Sequence, residues 1–416
     1  MKYLLYATYC SGRTGMSNSI MSTELGVLLA FLTDRVLVLD GNISPPTNVV
    51  AYGDKLTNRH RSRPTDLFEI PVPWLEAGQI DLVGCGCSMV LTDRSLLESV
   101  FFYPSSLDLD TEDFRRFAQG RRAAFTYGGD YRNAAMLRLP GGPEIGGSGY
   151  KMHNFGFYGP FLYLDAITKT RVNHLLRSMR PKRHFEELAD RVYAALGGFN
   201  AVHIRRGDFK RTPGRTTLLR RPREALAVLD HNFSRGERLA ILTDECDDPF
   251  FEEIVQAYPD TVFLDHFILD EFGEEFRDLP HHDSIALAFL CQLTAARARD
   301  FVGTMTSTFT SLIQRWRGNR GLDERFKFLW NELPAVNAEL VRGATAINPG
   351  IPMRPDGTMV EEFEGPYSWN HYDPRLNSAW MREWPESFVC PSDWAARSDR
   401  ARGAEEKRCR RQARRS

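Results

Sequence analysis

Two Rossmann-like α/β units are predicted by three observations. The chain opens with a strand, a glycine-containing loop, a helix and a second strand over residues 3–39. A more regular alternation of short β-rich runs and helical stretches fills residues 185–316. In that second half the polar residues gather just after strand ends, where open α/β sheets carry their ligand sites.

The first unit starts with Tyr3-Leu4-Leu5-Tyr6-Ala7-Thr8-Tyr9, an apolar and aromatic run that reads as a strand. The loop Ser11-Gly12-Arg13-Thr14-Gly15-Met16-Ser17-Asn18 follows, then a helix with Ile20, Leu25, Leu28, Leu29 and Leu32 as its apolar stripe. Val36-Leu37-Val38-Leu39 reads as a buried second strand. The loop's glycines either let backbone amides at the helix start approach a phosphate or sugar, or serve only as turn residues. The loop is neither a Walker loop nor Gly-x-Gly-x-x-Gly. From residue 40 to 149 the pattern weakens, with a strand expected at 80–83 and helices at 112–119 and 166–179. Phe155-Gly156-Phe157-Tyr158-Gly159-Pro160-Phe161 is read as core packing around a turn in preference to an acceptor platform.

Arg180-Pro181-Lys182 marks the expected boundary, followed by a helix over 185–196. Ala201 to Ile204 is a short run of strand character that breaks into Arg205-Arg206-Gly207-Asp208, with a basic loop at 210–215. A helix at 222–229 leads to a strand at 238–242 that ends in Thr243-Asp244-Glu245. A helix at 249–257, a strand at 261–264 and an amphipathic helix at 284–296 come next. A strand at 300–303, the loop Thr304-Met305-Thr306-Ser307-Thr308 and a helix through Leu312 to Trp316 complete the series. The expected division is residues 1–180 and 181–345 as the two units, 346–396 as an irregular extension and 397–416 as a basic tail.

Composition narrows the function. At 416 residues the chain is long enough for two cores, and 42% hydrophobic with 26% charged residues is ordinary for a globular protein. The net charge is −1. Residues 397–416 hold nine Arg/Lys and three Asp/Glu, a net of +6, which leaves −7 for the body. An acidic body argues against nucleic-acid binding, and the tail reads as a solvated end. Seven cysteines without a paired Cys-x-x-Cys pattern fit neither a zinc site nor a disulfide scaffold. The adjacent His281 and His282 do not suit one metal ion, and Asp283 reads as helix-start polarity in preference to guanine recognition. No apolar run approaches a membrane span and no secretory leader is seen, so the expected location is cytoplasmic.

The polar groups on successive strand ends suit one anionic ligand. His203, Arg205 and Arg206 supply donors and charge, and arginine holds its charge in a fork that matches phosphate oxygens. Ser307, Thr308 and Phe309 mark a helix start, a natural phosphate seat, and Asp244 and Glu245 can accept from a base or ribose. Together they point to a nucleoside diphosphate.

His203-Ile204-Arg205-Arg206-Gly207-Asp208 resembles the His-x-Arg-Arg-x-Asp motif of the fucosyltransferase superfamily. That superfamily includes the protein O-fucosyltransferases, the α1,6-fucosyltransferases and the nodulation chitooligosaccharide fucosyltransferases. Phe301-Val302-Gly303-Thr304 with Ser307-Thr308-Phe309 is similar to the group's diphosphate-binding loop, and Ile241-Leu242-Thr243-Asp244-Glu245 to its intervening strand end. Gly15-Met16-Ser17-Asn18 and the stretch from Leu25 through Asp34-Arg35 to Leu39 look most like the protein O-fucosyltransferases. The resemblance covers residues 1–39 and 201–316. It implies a GT-B architecture, two Rossmann-like domains facing each other across a cleft, with a GDP-sugar as donor substrate, no metal and inversion at the anomeric carbon. Carried over by position, Arg205 binds the β-phosphate and stabilises the leaving GDP, while Asn18 lies on the sugar side. His203, Arg206, Asp244, Ser307, Thr308 and Phe309 complete the donor-binding set, with Arg206 paired to Asp208.

The chain also departs from the pattern. Ser19 stands where the O-fucosyltransferases carry glutamine, and residues 209–215 lack the acid that α1,6-fucosyltransferases use as base. The base is therefore unassigned, with Asp40 or an acid from the irregular middle region as candidates. The acceptor is expected to be a small molecule, oligosaccharide or peptide, and the sugar fucose or a related one. Two rivals stay open. Residues 11–17 resemble a 5′-phosphosulfate loop, as in a sulfotransferase using a 3′-phosphoadenosine donor. A non-catalytic carbohydrate-binding relative is the other.

Overall fold

The computed structural model describes residues 1–7, 16–41, 43, 62–80, 89–90, 102–104, 125–127, 135–139, 171, 174–175, 177–207, 221–245, 249–304, 307–320, 322 and 328–329. Strands β1 (Tyr3–Ala7), β2 (Val36–Asp40), β3 (Trp74–Glu76), β4 (Met89–Val90), β5 (Phe102–Pro104), β6 (Phe125–Tyr127) and β7 (Met136–Leu139) belong to the first unit. Five of them form a parallel sheet in the order β3-β2-β1-β7-β4, while β5 and β6 pair with each other. Leu4, Leu5 and Tyr6 of the central β1 are all buried, the continuous apolar pattern expected of a parallel strand covered on both faces.

Helix α1 (Met16–Thr33) connects β1 to β2. Its interior Gly26 has a packing reason, since a Cβ there would stand 2.9 Å from the Tyr6 ring. The helix therefore lies close on β1, and the Tyr6 hydroxyl reaches Ser22 Oγ at 2.8 Å. The sequence gives α1 one apolar stripe, but the structure buries it on most faces. Ile20, Met21, Val27, Leu28 and Ala30 are covered, and so are Ser17, Ser19, Ser22, Thr23 and Glu24. The second unit packs on its other side, which removes the selection for a polar face.

The second unit contains α3 (Arg183–Leu196), β8 (Asn200–Ile204), α4 (Pro222–Asn232), β9 (Leu239–Thr243), α5 (Glu252–Ala257), β10 (Thr261–Phe263), α6 (Leu264–Glu271), α7 (Gly273–Arg277), α8 (Ser284–Ala295), β11 (Phe301–Thr304), α9 (Thr308–Asn319) and β12 (Phe328–Leu329); the short α2 (Pro64–Leu67) precedes them in the first unit. Its sheet is parallel, in the order β10-β9-β8-β11-β12. The Phe185, Leu188, Ala189, Val192 and Leu196 stripe buries α3, as its spacing requires.

Three expectations need correction. Ile80 does not open a strand: it follows a 3₁₀ turn at Ala77–Gln79, whose start is closed by the Glu76 N–H donating to Gln79 Oε1 at 2.8 Å. The sheet's third strand is Trp74–Glu76 instead, and residues 81–83 lie outside the described residues. The helix expected over 249–257 is a 3₁₀ turn at Pro249–Phe251 followed by α5. Helices α6 and α7 were not anticipated, although Leu264, Ile268, Phe272 and Phe276 recur at helical spacing. The helix expected at 112–119, most of that at 166–179, the cluster at 155–161, the extension and the tail all lie outside the described residues.

Each unit is thus built on a five-stranded parallel sheet of the Rossmann-like kind expected, and the two are packed against each other through α1, α8 and α9. The segment at Pro181 is paired: it bridges Phe68, with Lys182 N–H donating to Leu67 O and Glu69 N–H to Arg180 O, both at 2.8 Å. Helix α8 joins the units most directly. Its N-cap Asp283 accepts from Ile285 and Ala286 N–H through Oδ1 at 3.0 and 2.9 Å, and from Ser62 through Oδ2 at 3.0 Å. On the same helix Phe289 meets Phe68 edge-on at 4.9 Å, Phe185 at 5.2 Å and Trp316 at 5.4 Å between ring centroids. Beside it Arg315 of α9 donates to Glu24 of α1 at 2.5 Å, with side chains only 1% and 8% exposed.

Candidate active site

The order of the second sheet reverses between β8 and β11, which sets His203 opposite Gly303. Loops leaving the two strands diverge here, and doubly wound sheets seat ligands in the crevice that this opens at the carboxyl ends. Arg205, Arg206, Ser307, Thr308 and Phe309 all follow these two strands, and Asp244 follows their neighbour β9.

Thr304 ties the strand ends together with its side chain. Its Oγ1 donates to the His203 carbonyl at 2.8 Å and accepts the Arg205 N–H at 2.8 Å. The backbone carrying Arg205, whose side chain is part-buried, is thereby fixed relative to the start of α9.

The two arginines divide their roles. Arg206 is 8% exposed, its Nε donates to Glu245 at 3.3 Å, and its guanidinium carbon lies 3.8 Å from the Phe250 ring centroid. A guanidinium stacked on one side and ion-paired on another is held in place. Asp244 holds the turn beneath it, accepting the Arg206 N–H at 2.9 Å and the Gly207 N–H at 3.1 Å on each oxygen. The strand-end acids of β9 thus shape the turn that presents Arg205. Asp208, expected to pair with Arg206, lies outside the described residues.

His203 is fixed on two sides. Nδ1 is 2.7 Å from Thr310 Oγ1, and the ring lies against Phe309 with centroids 4.6 Å apart. Thr310 can come this close because residue 303 is glycine, where a Cβ would be 2.2 Å from the Thr310 methyl carbon. Burial, and then the Arg205 charge, push the His203 pKa down from 6.5 to about 3. The imidazole is neutral at working pH and acts as a hydrogen-bonding group.

The unfolded chain takes up a proton near pH 6.5 and the folded chain only near 3, so His203 favours folding fully above pH 6.5 and progressively less as pH falls toward 3. His203→Gln should flatten the fall in stability between pH 6.5 and 4.5 by up to about 1.4 kcal/mol per pH unit. Equal slopes for wild type and variant in urea melts across that window would show that the histidine is solvated.

Ser307 is fully buried, its N–H donates to Thr304 O at 3.3 Å, and its Oγ has no partner. It immediately precedes α9, whose first-turn N–H groups are left unbonded by the helix and carry its positive end. A buried hydroxyl beside those N–H groups is a set of donors of the kind that anions accept from, and Arg205 follows the adjacent strand β8. Asn18 occupies the first turn of α1 in the other unit. Gln292 of α8 links the two helix starts, its Nε2 donating to Ser17 Oγ at 3.0 Å and to Phe309 O at 3.1 Å. The starts of α1 and α9 therefore lie close together at this point.

Thr304 stands inside the loop motif that the sequence singles out, though its clamp on Arg205 is seen only in the structure, whereas Phe250, Thr310 and Gln292 were not singled out. Of these three only Thr310 left a local signal, since it follows the Ser307-Thr308-Phe309 motif. Among the described residues no three His, Cys, Asp or Glu are grouped to hold a metal ion. His281 faces Asp66 at 3.2 Å, and Asp283 caps α8, which is the helix-start role expected of it.

No family model matches the chain, and no curated protein matches it. Several solved structures are similar to it. A point mutant of Arabidopsis thaliana FUT1 in complex with GDP is 15% identical with a TM-score of 0.36, covering 80% of this chain and 71% of that one. Fucosyltransferase NodZ from Bradyrhizobium is 15% identical with a TM-score of 0.38, covering 78% of this chain and 94% of that one. POFUT1 in complex with GDP-fucose is 14% identical with a TM-score of 0.39, covering 80% of this chain and 98% of that one. At such values the likeness decides nothing, and the chain's own strand ends carry the functional reading.

Proposed function

We propose that the chain is an inverting, metal-independent glycosyltransferase. It moves fucose or a related sugar from a GDP-sugar to a small-molecule, oligosaccharide or peptide acceptor. The observation that carries this reading is the convergence at one switch point of Arg205, the start of α9 and the unpartnered Ser307 hydroxyl. The choice of GDP and of the sugar class comes from the motif resemblance.

In the reaction the bond from the anomeric carbon to the β-phosphate oxygen breaks, and its electron pair leaves with GDP. The acceptor oxygen bonds to the opposite face of that carbon, and its proton passes to a base. Negative charge grows on the departing diphosphate, so fixed cationic and N–H donors there lower the barrier. Arg205 supplies the charge, α9 and Ser307 the hydrogen bonds. His203 is neutral and held by Thr310, so it meets the nucleotide without adding a titrating charge. Asp40 ends β2 on the exposed carboxyl edge of the first sheet, a position suited to a base.

Thermal-shift titration tests the reading. GDP should stabilise the protein by on the order of 2–3 kcal/mol at a hundredfold excess over its dissociation constant. UDP should bind much more weakly, and chelator should change neither result. Stabilisation by adenosine 3′,5′-bisphosphate alone would transfer the assignment to a sulfotransferase.

A further inference from the structure

Gln292 is completely buried on α8, and its single amino group serves two acceptors that belong to different units. Ser17 Oγ lies in the first turn of α1, and the Phe309 carbonyl lies in the first turn of α9. The amide oxygen of Gln292 has no partner, so only its donor end is used. A buried polar side chain with half of its capacity unused is destabilising compared with an apolar residue of the same shape. Helix packing alone therefore gives no account of a glutamine here.

Its location supplies one. Helix α8 is already fastened to the first unit at its N-cap, where Asp283 accepts from Ser62. That contact is nine residues from Gln292, about 13 Å along the helix. Fastened there and again at Ser17, α8 is a strut, and Gln292 is the point at which the strut touches both helix starts. Resting on the site reading above, we infer that Gln292 is a positioning residue that couples the diphosphate seat at α9 to the start of α1. Ligand binding at the first turn of α9 orders the Phe309 carbonyl. Gln292 passes that order to Ser17, and the turn carrying Asn18 is set for the sugar.

First-turn amides of a helix have no intrahelical partner and exchange fast unless something holds them. Amide hydrogen exchange at residues 16–20 and 308–312, with and without GDP, therefore reads the coupling without any need for turnover. In the wild-type chain GDP is expected to slow exchange at both helix starts. In Gln292→Met, close in shape but without the donor, GDP is expected to slow the α9 start and to leave 16–20 within about twofold of its unliganded rate. Ser17→Ala removes only one acceptor and should give the same split, which keeps the test readable if the glutamine variant folds poorly. A glutamine of structural role only would raise exchange along α8 equally with and without GDP.

Protection of 16–20 by GDP in Gln292→Met to the wild-type extent would overturn the inference, as would wild-type protection confined to 308–312. A wild-type chain that shows no GDP binding in the same samples would overturn the site reading itself, and this inference with it.

Discussion

Arg205→Lys is expected to lower sugar-transfer turnover by roughly 10²–10³ while the protein stays folded, the effect of losing one transition-state donor. Lysine keeps the charge but loses the fork, and the geometry around position 205 is built for a fixed group. Thr304 Oγ1 clamps the Arg205 N–H, and Asp244 clamps the two N–H groups that follow. A side chain on so constrained a backbone has little room to re-aim. Arg206→Lys should act differently, because Arg206 is stacked on Phe250 and paired with Glu245. Its loss should appear as a loosened turn and a lower melting temperature, with a smaller effect on turnover. Near-normal turnover in a folded Arg205→Lys would remove this arginine from the mechanism.

The second large effect is expected at the contact between the units. Arg315→Met leaves Glu24 buried without the guanidinium, a change that typically destabilises by about 3–5 kcal/mol. The paired change Glu24→Met with Arg315→Met removes both charges and should recover most of the loss, since a buried ion pair is often no more stable than an apolar pair of similar volume. Urea midpoints of the three variants measure this directly. A loss below about 1 kcal/mol for Arg315→Met would mean that water reaches the pair, as it does in exposed ion pairs.

How much of this was legible in the sequence depended on the range of the interaction. Strands β1, β2, β8, β9 and β11 each announce themselves as short apolar runs, because parallel strands are buried on both faces. Helix α3 shows its apolar stripe, and the arginines after Ile204 mark a strand end. Long-range partners leave no such trace. Nothing near Glu24 points to Arg315, and Gln292 lies in an apolar stretch where its neighbours suggest only core. Arg206 is stacked on Phe250 and paired with Glu245, which both follow β9 some forty residues along the chain, so nothing beside Arg206 in the sequence points to either. Helices α6 and α7 were overlooked for another reason: β10 runs into α6 without a turn residue between them, so no punctuation divided strand from helix.

The strut and the ion pair also bear on how the chain is made. Leu4, Tyr6, Val27 and Leu28 share one core with Phe289, Leu312 and Trp316. The first unit leaves the ribosome well before its partner, so Glu24 is made 291 residues ahead of the arginine that pairs with it. Its sheet can form early, but the surface of α1 that meets Arg315 waits for the second unit to be synthesised. Apolar surface left open in such an interval is prone to association between nascent copies.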